Sequence, residues 1–194
     1  MNKSYSQGRQ DLWVLATAKN KYYVDIGAAD GIRSSNTFKL EKEGWHGICV
    51  EPVEYEQLNK NRECIKVNKA VWNKNEKTEF LINVDDPQLS GIVNCFCDSY
   101  NRYGLWTIVE TITLNDLLEE NNAPINMGYL NIDTEGSEYE ILEVFDFTYS
   151  FDCITVEHNF NEEKRIKIRN LLTQKNYKFY KEVNADDWYT KDKI

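Results

Sequence analysis

Short apolar runs alternate with amphipathic stretches along most of this chain. Tyr22–Ile26 reads as a buried strand, and 35–43 as a helix with Phe38 and Leu40 inward, stopped by Gly44. Residues 45–52 give a second strand that ends in Glu51-Pro52. A short helix over 55–61 and a third strand over 64–71, through Ile65 and Val67, follow. Ahead of the first strand, 6–18 has a helical pattern, with Ser6 as cap and Leu12, Trp13, Leu15 and Ala16 as apolar face. Strand, helix, strand, helix, strand predicts a parallel sheet with right-handed crossovers.

The second half continues the alternation. Residues 78–84 read as a strand extending the third, and 85–104 as a long polar loop or lid. A short strand over 106–113 leads into a helix that runs to about Asn121. Residues 127–132 form a buried strand ending at Asp133, and 136–145 a helix with Ile141, Leu142 and Phe145 inward. Residues 151–156 form the next strand, ending at Glu157, and 161–174 an amphipathic helix. Residues 177–183 and 188–190 read as a closing hairpin with its turn at 184–187. The expected architecture is one α/β domain over 1–194, with a sheet of about seven strands and helices on both faces; 1–20 is an N-terminal helical segment.

Composition narrows the function classes. With 194 residues, 41% hydrophobic, the chain can bury a sizeable core. A net charge of -9 argues against nucleic acid as a partner, because such binding needs clustered Lys and Arg. No apolar run approaches the roughly 20 residues of a membrane span. Nor does a secretion-signal core stand at the N-terminus, so a cytoplasmic location is expected. Five cysteines, an odd number, argue against a disulfide framework. Cys49 and Cys153 sit in strand patterns as core thiols, and Cys95-x-Cys97 is too sparse for a structural zinc site.

The chemistry gathers where the strands end. In doubly wound sheets, ligands bind at the carboxyl ends of the strands. Here the first strand ends in Asp25-x-Gly27-x-x-x-Gly31, followed by Ser34-Ser35-Asn36, which can cap a helix. Open-backbone glycines and a helix N-terminus together suit a nucleotide-like ligand. Glu51, twenty residues past Gly31, can accept ribose hydroxyls. Two cofactors fit this pattern, a nicotinamide dinucleotide and S-adenosylmethionine. The dinucleotide fingerprint needs a glycine at position 29, where this chain has Ala29.

Several segments resemble the FkbM family of S-adenosylmethionine-dependent methyltransferases. They are 24–31 (VDIGAADG), 44–52 (GWHGICVEP) and 131–142 (NIDTEGSEYEIL), and 6–11 and 113–117 match as well. The likeness spans about 6–177. It implies the class I methyltransferase fold, a Rossmann-like three-layer sandwich whose mostly parallel sheet ends in an antiparallel last strand. It also implies O-methylation of a hydroxyl, of the sugar or polyketide kind. The acceptor itself does not carry across from the motifs, and a sugar or glycan is the favoured expectation among small molecules. The expected cofactor-binding residues are Gln7, Asp25, Gly27, Ala28, Gly31, Ser35, Asn36, Glu51, Pro52, Ala70 and Asp133, with Gln7 or Gln10 closing over the cofactor.

Acidic strand ends add a second layer of chemistry. Asp133, Glu157 and Asn159 are the expected oxygen ligands of a divalent cation, Mg2+ or Mn2+. Alternatively, Asp133 and Glu135 only cap the helix that follows. His158, one of two histidines, is the expected general base, with Asp133 and Glu135 also assigned to catalysis. Phe96, Tyr100, Tyr103 and Trp106 could stack on a sugar face or simply pack the loop down. A nicotinamide-dependent oxidoreductase and a non-catalytic binding module of the same fold are the rival readings.

Overall fold

The computed structural model describes residues 3–95 and 104–191. The first third runs α1 (Gln10–Thr17), β1 (Tyr22–Ile26), α2 (Phe38–Lys42), β2 (His46–Val50), α3 (Tyr55–Asn61) and β3 (Ile65–Val67). Then come β4 (Ala70–Val71), β5 (Lys77–Asn83), β6 (Gly91–Ile92) and β7 (Gly104–Ile112). The remainder is α4 (Leu114–Glu120), β8 (Asn126–Ile132), α5 (Glu138–Val144), β9 (Ser150–Glu157), α6 (Glu162–Gln174), β10 (Tyr177–Val183) and β11 (Asp186–Lys191).

A seven-stranded sheet in the order β10-β11-β9-β8-β1-β2-β3 forms the frame. Four ladders are parallel, β3 to β2, β2 to β1, β1 to β8 and β8 to β9. The two ladders of β11, with β9 and with β10, are antiparallel. The sheet is therefore mixed rather than mostly parallel, because the hairpin returns β11 between β9 and β10. Strand alternation divides the core in two. Val24, Ile26, Ile48, Leu130, Ile132 and Ile154 pack with leucines and isoleucines of α4, α5 and α6. Tyr23, Cys49, Tyr129 and Cys153 point the other way and pack with Val14 of α1, Leu40 of α2 and Leu58 of α3. Central strands buried on both faces read as continuous apolar runs, which is why they were visible in the sequence.

Three expectations change. Residues 78–84 do not extend β3. They lie in β5, which pairs antiparallel with β7 from Lys77↔Glu110 to Asn83↔Gly104. Together with β4 and β6 these strands make a second, four-stranded sheet around Trp72, Phe80, Ile92 and Val109. The expected loop 85–104 is partly built, with 3-10 turns at Pro87–Leu89 and Val93–Cys95 flanking β6. Phe96, Tyr100 and Tyr103 lie outside the described residues, and Trp106 is 58% exposed on β7. Ser6 does not cap α1, which begins at Gln10. Its hydroxyl donates instead to the buried Asp11 carboxylate. Asp11 and Gln10, rather than Leu12 or Ala16, are buried with Val14 on that helix.

Cys49, Cys64, Cys95 and Cys153 are free thiols. Among the described residues no helix is long and apolar enough to cross a membrane.

Candidate active site

A cavity of about 250 Å³ opens at the carboxyl ends of β1, β2, β8 and β9. The turn after β1 forms its floor. Gly27 has φ 83°, and a Cβ there would stand 1.8 Å from the Asp133 carbonyl oxygen, so only glycine lets β1 and β8 approach at this point. Ala29, Ser34, Glu135 and Asn184 also line the cavity, and all four have left-handed backbones. Such backbone outliers concentrate where surrounding structure holds a site in shape. Ser35 Oγ accepts from the Thr37 and Phe38 N–H groups, as the capping role of 34–36 predicts, although α2 is only one turn long.

A buried polar row runs beneath this floor. Asp25, Asn131 and Thr155 occupy matching positions on β1, β8 and β9. Thr37 donates to Asp25 Oδ2 at 2.5 Å and Asn131 Nδ2 donates to Oδ1 at 2.9 Å. Asn131 Oδ1 accepts in turn from Thr155 and from Asn36 Nδ2. The fully buried Arg62 guanidinium closes the row, donating to Thr37, Tyr23 and the Gly31 carbonyl. Burial raises the Asp25 pKa, opposed by its bonds to Thr37 and Asn131 and by the Arg62 charge.

Glu51 stands at the end of β2 with 8% exposure. Its Oε1 accepts from the Val53 and Glu54 N–H groups and its Oε2 from Ala29. A carboxylate offers about four acceptor positions, so roughly one is left for a ligand hydroxyl.

At the opposite wall, oxygens of Asp133, Glu135 and Glu157 lie within 4.8 Å of one another. Burial, and then the neighbouring Asp186 charge, pushes Asp133 up to about 7. Burial and the Asp133 charge push Glu135 up to about 8. Glu157 is raised well above the usual range by burial and by both neighbours. Its Oε2 has no hydrogen-bond partner among the described residues. The cluster does not cap α5. Buried Glu138 ties that turn instead, accepting from the Thr134 N–H and hydroxyl and from the Gly136 N–H.

The cavity brings together Gln7, Asp25, Gly27, Ala28, Ser35, Asn36, Glu51, Pro52, Ala70 and Asp133, all expected at the cofactor. Gly31 is not in its wall. A Cβ on Gly31 would meet Arg62 and Leu58, so this glycine serves helix packing. His158 does not line the cavity either. Its Nδ1 accepts from the Phe160 N–H, and its Nε2 lies 3.8 Å from the Asp187 carboxylate. Burial lowers its pKa, partly offset by Asp187. Asn159 is also outside the wall, its Nδ2 donating to Glu135 Oε2 at 3.4 Å. Glu135, expected among the catalytic residues, joins Asp133 and Glu157 in the carboxylate cluster, with Asn159 bonded to it.

Residues 25–179 of the chain match the methyltransferase FkbM domain. The chain belongs to the FkbM methyltransferase family. No curated protein and no solved structure matches it.

The FkbM match begins at Asp25 and leaves out the N-terminal segment, yet that segment reaches the site. Gln10 lines the cavity and donates to Asp186 Oδ2 at 2.5 Å. Asp186, Ala185 and Asn184, at the tip of the β10–β11 hairpin, form a wall that the sequence reading missed. Nothing in the sequence marks this tip, because its place depends on β11 inserting beside β9. Asn131 did carry a signal, a lone amide in an apolar strand. Arg33 and Gln88 were missed for the same reason as the hairpin. Arg33 pairs with Asp86, and Gln88 donates to the Arg33 carbonyl, which ties the 3-10 turn Pro87–Leu89 to the floor of the cavity.

Proposed function

We propose that this FkbM-family methyltransferase uses S-adenosylmethionine to methylate a hydroxyl, with a sugar or glycan as the favoured acceptor. One observation carries the reading. A single cavity joins the Gly27 turn and Glu51, suited to an adenosyl ligand, to a carboxylate-lined wall suited to a hydroxyl. The sulfonium is already activated, so the protein has to align the reactants and remove one proton. The Gly27–Ala29 backbone and Glu51 hold the cofactor, with Glu51 taking one ribose hydroxyl. The acceptor hydroxyl lies against the carboxylate wall, and Asp133 takes its proton. A carboxylate titrating near 7 is matched to that task at neutral pH. His158 is outside this set and is not assigned as base.

Asp133, Glu135 and Glu157 have the donor chemistry for Mg2+ or Mn2+, three closely set carboxylate oxygens, with Glu135 buried and Asp133 and Glu157 half-buried. When bound, such an ion lowers the pKa of a hydroxyl that it contacts.

Titration calorimetry tests the cofactor. S-adenosylhomocysteine is expected to bind in the micromolar range and NAD not to bind. Binding of NAD without a response to S-adenosylhomocysteine would refute the reading. Mass spectrometry of mono- and oligosaccharides incubated with S-adenosylmethionine and Mn2+ then tests the acceptor class, with a gain of one methyl group as the expected product.

A further inference from the structure

The row of buried amides beneath the cavity ends in an oxygen that nothing occupies. Asn36 is 8% exposed and lines the cavity, and its Oδ1 has no hydrogen-bond partner among the described residues. A buried acceptor left without a donor costs about 1–3 kcal/mol, so such atoms call for an explanation.

The orientation of this amide is forced by its neighbours. Arg62 can only donate, so Thr37 Oγ1 accepts from it and gives its own proton to Asp25. Asp25 therefore faces Asn131 as an acceptor, and Asn131 must present its NH2. That leaves Asn131 Oδ1 facing Asn36, which must answer with Nδ2. Thr155 donates to the same Asn131 oxygen. The Asn36 carbonyl is thus left free at one end of a row that converges on Asp25, with Arg62 donating to Thr37 and Thr37 to Asp25 from one side, and Asn36 donating to Asn131 and Asn131 to Asp25 from the other. Its group chemistry is that of an acceptor, so the ligand must bring an N–H or O–H.

Position selects which one. Glu51, the ribose residue of the proposed site, follows β2. Asn36 is bonded to β8, on the other side of β1. Two strand spacings, roughly 9–10 Å, separate these places. A ligand with its ribose at Glu51 reaches Asn36 with the far end of its amino-acid tail, and the donor there is an ammonium group. Gln7, Ser35, Asn36 and Asp25 all line the cavity, and Asp25 is bonded to Asn131.

We infer that Asn36 Oδ1 accepts a hydrogen bond from the α-ammonium group of the cofactor's methionine moiety, held in that orientation by Asn131. The inference rests on the S-adenosylmethionine reading above. It assigns the ammonium contact to Asn36, while Asp25 lines the same cavity and holds Asn131 in place.

Calorimetry with two ligands tests it. One is S-adenosylhomocysteine and the other its desamino analogue, in which hydrogen replaces the α-amino group. The wild-type chain should bind the desamino analogue about tenfold or more weakly, the usual effect of leaving a buried polar group unpaired. Asn36→Ala should weaken S-adenosylhomocysteine by a similar factor and leave the analogue unchanged, so that the gap closes. An equal loss for both ligands, or a gap that survives in Asn36→Ala, overturns the inference. If Asn36→Ala shows no cooperative melting transition, Asn36→Ser replaces it. Its hydroxyl stops one bond short of the amide atoms it replaces, so the carbonyl acceptor is lost while a polar group is kept, and the gap should again close. Failure of the wild-type chain to bind either ligand would overturn the cofactor reading, and this inference with it.

Discussion

Gly27 condenses the site into one residue. Its φ of 83° and the 1.8 Å contact that a Cβ would make with the Asp133 carbonyl are independent penalties. Gly27→Ala must push β8 away from β1 or rebuild the turn. We expect a loss of at least about 2 kcal/mol of stability, read as a lower melting temperature, and loss of S-adenosylhomocysteine binding. Gly31→Ala makes an informative contrast. It also has a left-handed φ, 82°, but its Cβ would press on the flexible stem of Arg62 and on Leu58. Stability should fall while ligand affinity, measured on the folded fraction, holds closer to wild type. In the sequence the two glycines looked alike, as two ends of one turn. What separates them is the backbone of β8 and the side chain of Arg62, both distant along the chain. Asp25 and Glu51 were legible because a carboxylate at the end of an apolar strand has few uses. Their partners were not legible, and at Asp25 those partners, Thr37 and Asn131, tie the carboxylate into the buried row.

Elements differ in the same way. β1, β2, β8 and β9 announce themselves, since strands buried on both faces are apolar throughout. β5 and β7 were legible as strands over 78–84 and 106–113, but their antiparallel pairing into a second sheet, which leaves Leu105, Trp106 and Ile108 exposed, was not. The β10–β11 hairpin was legible as a hairpin, but its role at the site follows from where β11 inserts. Asp187 anchors that insertion. It is 1% exposed, pairs with Thr155's neighbour Val156 on β9, and accepts from Arg165 and Arg169 of α6. Burial would raise its pKa, but the two guanidinium groups pull it below the ordinary value. Asp187→Ala would strand two cations. Their side chains are 13% and 33% exposed and can reach water, so the cost should be about 2 kcal/mol rather than the larger penalty of a sealed site. Because Asp186 and Ala185 adjoin it in the cavity wall, the same change should also weaken S-adenosylhomocysteine binding. A drop in melting temperature with unchanged affinity would show that the hairpin tip is not part of the ligand site.

At the scale of the whole molecule the carboxylate wall sets how stability varies with pH. Asp186, raised to about 6, adds to the three carboxylates of the cluster. Each of these acids holds its proton in the folded chain at pH values where the unfolded chain has released it. The folded state then binds more protons, and stability falls as pH rises from about 4 through the folded values near 6, 7 and 8. His158, with its pKa lowered by burial, works in the opposite direction over the lower part of that window, but it is one group against these four and against Asp25, Glu51, Glu54 and Glu138, which burial also raises. Asp187 and Glu41, both lowered, lose their contribution only on acidification below the window. In the presence of a chelator, the melting temperature should therefore decline between pH 5 and pH 8. A divalent cation reverses the sense of the wall, because it favours the ionised carboxylates and competes with their protons. Millimolar Mn2+ should raise the melting temperature more at pH 8 than at pH 5.5 and flatten the decline. Glu135→Gln removes one charge from the wall, so it should flatten the chelator profile and reduce the Mn2+ response together. A profile that rises steadily with pH under chelation would contradict the protonated wall. A Mn2+ response of equal size at both pH values, or none, would leave the wall as a proton-sharing acceptor site and remove the metal from the proposed reaction.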